Sequence, residues 1–262
     1  MKYKLSYLFK LIISLTKRDI DSRYKGSLFG LFWAIINPLF LLGIYTFVFG
    51  VIFKSRWEGI SDSITSFSIT LFIGLITYNI FSESVSKSPW LITSNQNFVK
   101  KILFPIEILS IVNLFSSLFT FSMSFLAWLV MSLIFDQKIS LEILLLPFLI
   151  IPISIFSLGC SWFVSALGVY LKDIGQIISM LIMILLFASP VFYPMSSIPS
   201  DYQFLMKLNP LAQGIQMVRD VCIYNTLPNL EQFIYSMILS LICALLGLSF
   251  FKKVKKGFPD VI

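Results

Sequence analysis

From Leu28 to Phe53 the chain carries no Asp, Glu, Lys or Arg, while the stretch just before it, Lys17 to Lys25, is dense in charge. A polar, mostly basic shoulder that passes abruptly into a long apolar run marks a membrane–water boundary. Gly26 and Ser27, between the two, suit a break followed by a helix N-cap. An α-helix needs roughly 20 apolar residues to cross the hydrocarbon core. Runs of that kind recur at 28–53, 67–92, 106–135, 143–171, 174–194 and 229–251. Of the 262 residues, 57% are hydrophobic and 13% charged, more apolar surface than a soluble domain of this length can hide. The expected fold is therefore an all-α integral membrane protein: one transmembrane domain, 1–262, with six spans.

The segments outside the spans refine this layout. Leu5, Leu8, Leu11, Ile12 and Leu15 recur at helical spacing, with Lys4, Lys10 and Lys17 elsewhere. That pattern predicts an amphipathic interface helix over 3–18, within a cytosolic segment 1–26, lying in the membrane surface. In the second span Glu83 and Lys87 stand four apart in the order that lets them pair on one helix face. With six spans, fifteen of the twenty Lys and Arg residues fall on the side that holds both termini, which places both termini in the cytoplasm. No cleavable signal peptide is expected, because no small-residue cleavage site follows a compact apolar core.

Residues 195–228 have intermittent apolar positions, three prolines and few charges. Two short half-inserted helices, hinged near Asn209–Pro210 and buried in protein, would satisfy such a backbone before the last span. The plainer alternative is an external loop with short surface helices.

Several chemistries are excluded. No G-x-x-x-x-G-K-[ST] occurs, so ATP is not bound here through a P-loop. The chain has no histidine, and its three cysteines (Cys160, Cys222, Cys243) show neither zinc nor disulfide spacing. Acidic residues are confined to interfaces, which disfavours a proton relay. No metal, no catalytic residue and no nucleic-acid partner is expected.

Four motifs remain. Arg23, Tyr24, Ser27, Leu28-Phe29-Gly30, Trp33 and Pro38 read R-Y-x-x-S-x-L-F-G-x-x-W…P across the first boundary. Residues 94–104 form a short cytosolic helix stopped by Pro105, with Asn95, Asn97, Phe98, Val99, Lys100, Lys101, Ile102 and Phe104 in it. Lys172–Asp173 make a very short cytosolic turn. Ser189-Pro190-Val191-Phe192-Tyr193-Pro194 ends the fifth span. Taken in order, these motifs resemble the permeases of ABC exporters, in the branch that exports O-antigen, capsule and teichoic-acid polymers. Three positions depart from the family pattern: L-F-G stands for L-G, Phe98 for an aliphatic residue, and Lys172 for an arginine.

The resemblance implies a homodimer in the bacterial inner membrane, bound to two ATP-binding cassette subunits that carry ATP and magnesium. It implies a polyprenyl-pyrophosphate-linked polysaccharide as substrate. Asn97, Phe98, Val99, Lys100 and Lys101 would couple to the ATPase, with Lys172 and Asp173 as a second contact. A short rigid helix with an exposed apolar residue would suit docking into an ATPase cleft. Arg18, Arg23, Tyr24 and Lys25 would stand at the substrate entrance, where cationic groups suit a pyrophosphate; a purely topogenic role is the alternative. Phe187, Phe192 and Tyr193 would line the passage, stacking weakly on sugar rings, or else anchor the helix in an interfacial aromatic belt. The other functions to weigh are an ABC permease of the same fold for a drug or lipid, and a membrane transferase on lipid-linked sugars. The short loop Lys54–Ser66 favours the polysaccharide branch over the first, and the lack of clustered acids or histidines disfavours the second.

Overall fold

The computed structural model describes residues 5–27, 29–52, 64–99, 104–135 and 139–261, and among these the chain forms helices and no strand. The N-terminal helix α1 spans Leu5–Tyr24. It stops at Gly26, whose φ of +85° is a left-handed conformation open to glycine. The break lies where expected, but Ser27 does not cap the next helix, since its hydroxyl donates back to Tyr24 O at 3.0 Å. The chain turns instead through Gly30 and a short 3-10 segment before α2 (Trp33–Tyr45), which continues as a π-helical stretch, Thr46–Ile52.

There follow α3 (Ile64–Leu91), α4 (Gln96–Val99), α5 (Ile108–Ile134), α6 (Leu146–Leu149) and α7 (Ile151–Tyr170). Then come α8 (Ile174–Ala188), α9 (Ser200–Leu208), α10 (Pro210–Cys222), α11 (Leu230–Val254) and α12 (Phe258–Val261). Among the described residues, five stretches are long and apolar enough to cross a bilayer: Trp33–Ile52, Ile64–Leu91, Ile108–Ile134, Leu141–Tyr170 and Leu230–Val261. The run expected over 174–194 is shorter as a helix. α8 has 15 residues, a rise of about 22 Å against a hydrocarbon core of about 30 Å. It ends because Pro190 forces the preceding Ser189 into an extended conformation.

α3 is the central helix, buried along most of its length against α5, α7, α8 and α10. Small residues let the helices approach closely, as in membrane bundles generally. A Cβ on Gly168 of α7 would fall 2.0 Å from Pro89 O of α3, and one on Gly247 of α11 would fall 2.1 Å from Gly159 O of α7. The α7–α11 contact also brings the free thiols of Cys160 and Cys243, 83 residues apart, to 3.8 Å. The hydroxyls of Thr70, Thr77 and Ser88 donate to carbonyls one turn back, so they cost the apolar interior little.

Both ends of the described chain lie at one end of this bundle. Arg23 of α1 pairs with Glu83 near the end of α3. Tyr170, closing α7, donates to Val254 O at 3.1 Å, and Lys255 pairs with Glu107 just before α5. The opposite end holds the start of α3, α9, the α9–α10 break and the start of α11.

Candidate functional site

At the end that holds both termini, α1 and α4 form one packed unit. Leu8, Leu11, Ile12 and Leu15 of α1 lie against Phe98, Phe104, Ile108 and Val112. The apolar face predicted to lie in lipid thus covers protein, while Tyr7, Phe9 and Ile13 stay exposed. The Phe98 ring stacks on Phe104 with centroids 4.4 Å apart, and the Arg18 guanidinium lies 5.5 Å from the Phe98 centroid. Phe98 is consequently half-buried, not the exposed apolar residue expected of a docking helix. Asn97 is exposed beside it. Lys100 and Lys101 lie outside the described residues, and Val99 is described only as the last residue of α4.

Lys172 and Asp173 are exposed in the turn between α7 and α8. The Trp90 ring, at the end of α3, packs on Gly175 so closely that a Cβ there would fall 2.3 Å from it. The turn and the approach to α4 are therefore neighbours on one surface, although about 75 residues separate them in sequence.

The entrance residues divide. Arg23 binds Asp19 at 2.6 Å and also Glu83, which accepts from Lys87 at 2.8 Å. The Glu83–Lys87 pair read from sequence is present, and Arg23 joins it. Two carboxylates already offset the charge of Arg23, so its first role is to hold α1 on α3. Arg18 and Lys25 are exposed. Tyr24 is half-buried, and burial pushes its phenol above the ordinary tyrosine value.

At the opposite end the two short helices break at Asn209–Pro210. Asn209 caps α10, its Oδ1 accepting from Leu211 N–H at 3.0 Å. They differ in environment. α9 has no buried residue, whereas α10 is buried on nearly every side. Its Arg219 is 0% exposed. The guanidinium donates to Pro190 O, to Val191 O at 2.6 Å and to Thr70 O at 3.4 Å. It lies over Gly74, where a Cβ would fall 2.3 Å from Nη2. One side chain thus ties α10, the break after α8 and α3 together, using carbonyls that lie past the end of α8.

Of the three aromatics expected in a passage, Phe187 is exposed, while Phe192 and Tyr193 are half-buried. Phe192 joins Tyr45 (5.4 Å), Phe49 (5.2 Å) and Phe187 (5.4 Å) in one aromatic cluster. Tyr193 donates its hydroxyl to Phe187 O at 2.9 Å.

The model of the ABC-2 type transporter family matches residues 10–223, most of the chain, from within α1 to just past the end of α10. The chain belongs to the ABC-2 type transporter family. It is 28% identical over 263 residues to an O-antigen export system permease protein of Klebsiella pneumoniae, with 100% of the chain and 98% of the relative covered. It is 26% identical to a protein of the same description from Myxococcus xanthus, covering 96% and 95%. A polysialic acid transport protein of Escherichia coli is 25% identical, with 90% of each covered.

Three features of this ABC-2 chain escaped the sequence reading. Arg219 is one of the five Lys and Arg residues on the side away from the termini, and Leu211, Ile215, Val218 and Cys222 around it keep the helical spacing of a buried face. Tyr45 and Phe49, four apart on the first span, complete the Phe192 cluster. The last residues fold back, and Phe258 is fully buried against Phe251 and Tyr170; nothing in the lysine-rich tail but that one aromatic signals it.

Proposed function

We propose that this chain is the transmembrane subunit of an ATP-driven exporter that moves polysaccharide out across the bacterial inner membrane. The observation that carries the proposal is similarity along the whole chain, and along nearly the whole of each relative, to permeases named for export of O-antigen and polysialic acid. An ABC-2 family membership alone would leave a drug or lipid substrate equally open. The short loop 54–66, which also bears on that choice, lies mostly outside the described residues.

The unit works as a homodimer with two ATP-binding cassette subunits, which bind ATP and magnesium. The surface made by α1, the 93–99 segment, the 171–173 turn and the folded-back tail takes the force of ATP hydrolysis. Asn97, Lys172 and Asp173 are among its exposed polar groups, and Lys100 and Lys101, outside the described residues, keep the coupling role the resemblance implies. Phe98 acts from inside, locking α4 to α1. Arg18 and Lys25 meet the pyrophosphate of a polyprenyl-linked polymer, and Tyr24 and Arg23 hold the helix that carries them.

Six crossings and cytoplasmic termini are supported by three observations. Both ends of the described chain lie at one end of the bundle, most of its described Lys and Arg residues belong to the segments there, and an even number of crossings is needed to return. The sixth crossing is composite: α8 stops short, and buried α10 fills the depth above it as a half-inserted gate. Phe187 lines the passage below.

A strain lacking this chain tests the proposal. Surface polysaccharide should disappear while lipid-linked polymer accumulates inside the cell, and the plasmid-borne gene should restore export. Unchanged surface polymer in the deletion strain would refute the proposed substrate.

A further inference from the structure

The end of the bundle opposite the two chain ends carries a groove of about 730 Å³ between α9, α10 and the start of α11. Its walls include Phe204 and Lys207 of α9, Gln213 of α10, and Glu231, Gln232 and Tyr235 of α11. Two caps fix this lining. Asn229 Oδ1 accepts from the N–H groups of Glu231 (2.9 Å) and Gln232 (3.4 Å), and Asn209 caps α10 below Gln213.

Gln213 is the residue that marks the groove as a site. It is 2% exposed, and its Nε2 donates to Met206 O at 3.2 Å, but its Oε1 has no hydrogen-bond partner. A buried acceptor without a donor is unfavourable, and such groups in folded proteins call for an explanation. A ligand donor supplies one. The rest of the lining narrows the ligand's chemistry. Lys207 and Glu231 are of opposite sign, so the groove offers no net charge to select an anion. The amides of Gln213 and Gln232 are wasted on a hydrocarbon chain. Phe204 and Tyr235 are exposed aromatics, able to lie on the apolar C–H face of a ring. A donor-rich, uncharged ligand with flat apolar faces is a sugar.

We propose that this groove binds a saccharide unit of the exported polymer at the exit from the bundle, with Gln213 Oε1 accepting from a sugar hydroxyl and Phe204 and Tyr235 contacting ring faces. The proposal rests on the polysaccharide-export reading and adds a defined contact point to it. Exposed rings on an open rim give weak binding, which suits a polymer that must move on.

The permease, purified with its ATP-binding subunit in lipid nanodiscs, is titrated with oligosaccharides released from the source cell's own surface polymer. Wild type should bind them. Phe204→Ala and Tyr235→Ala should each weaken binding by about three- to ten-fold, and Gln213→Met should do so by a similar factor. Phe204 and Tyr235 are exposed, so their variants carry the test even if Gln213→Met fails to fold. No binding by wild type, or equal binding by the two rim variants, would overturn the proposal. Complementation of the deletion strain is scored in parallel. If wild type restores surface polymer while the groove proves inert, the groove proposal alone falls; if wild type restores none, the export reading itself fails.

Discussion

Arg219 shows how one residue can set the architecture of one end of a membrane bundle. A buried guanidinium is tolerable only with its donors satisfied, and Pro190 and Val191 supply carbonyls because they lie past the end of α8, outside helical bonding. Arg219→Met should therefore leave those carbonyls unpaired and cost about 2–5 kcal/mol, read as a lowered unfolding temperature in detergent. Gly74→Ala should act on the same contact from the α3 side, because its Cβ would fall 2.3 Å from the guanidinium. Normal stability in both variants would remove Arg219 from its role as a tie. The sequence could not reveal this, because a count of Lys and Arg records a side and not a depth. Phe98 teaches the same lesson in reverse. Its motif was legible, but stacking on Phe104 and contact with Arg18 depend on α1 returning to α4. A charged substitution there would damage packing before it could report on docking.

At the scale of elements, long apolar runs were readable to within a few residues, since periodicity and length suffice for a helix that must cross lipid. What failed was length at α8, where a local proline effect shortened an apolar run that continues in sequence. The partner of the amphipathic N-terminal helix was also hidden, because an apolar stripe does not say whether lipid or protein covers it. The end of α8 yields a separable pair of predictions. Phe187 is exposed, so Phe187→Ala should slow polymer export by about two- to ten-fold, the range of one aromatic contact, with normal assembly. Phe192 is packed between Tyr45, Phe49 and Phe187, so Phe192→Ala should instead lower stability. Surface-polymer labelling and thermal unfolding measure the two effects. Unaltered export in Phe187→Ala would make that ring a lipid-facing anchor.

For the whole molecule, the order of the motifs carried more than any one of them. The 17–38 boundary, the 94–104 segment, the 172–173 turn and the 189–194 motif come in the order that resembles the exporter permeases, and each lies close to a helix end, where the change from apolar to polar residues is sharpest. The structure groups the first three at one end and the α9–α10 break at the other, an arrangement that suits the proposed transport driven from one side. That arrangement is tested most directly by reconstitution. Permease and ATP-binding subunit are placed in proteoliposomes with lipid-linked polysaccharide on the ATPase side, and polymer reaching the other side is measured with and without ATP. The account predicts ATP-dependent transfer that disappears when the permease is omitted. Hydrolysis of ATP by the assembled complex with no polymer crossing, while a lipid or small drug does cross, would contradict it.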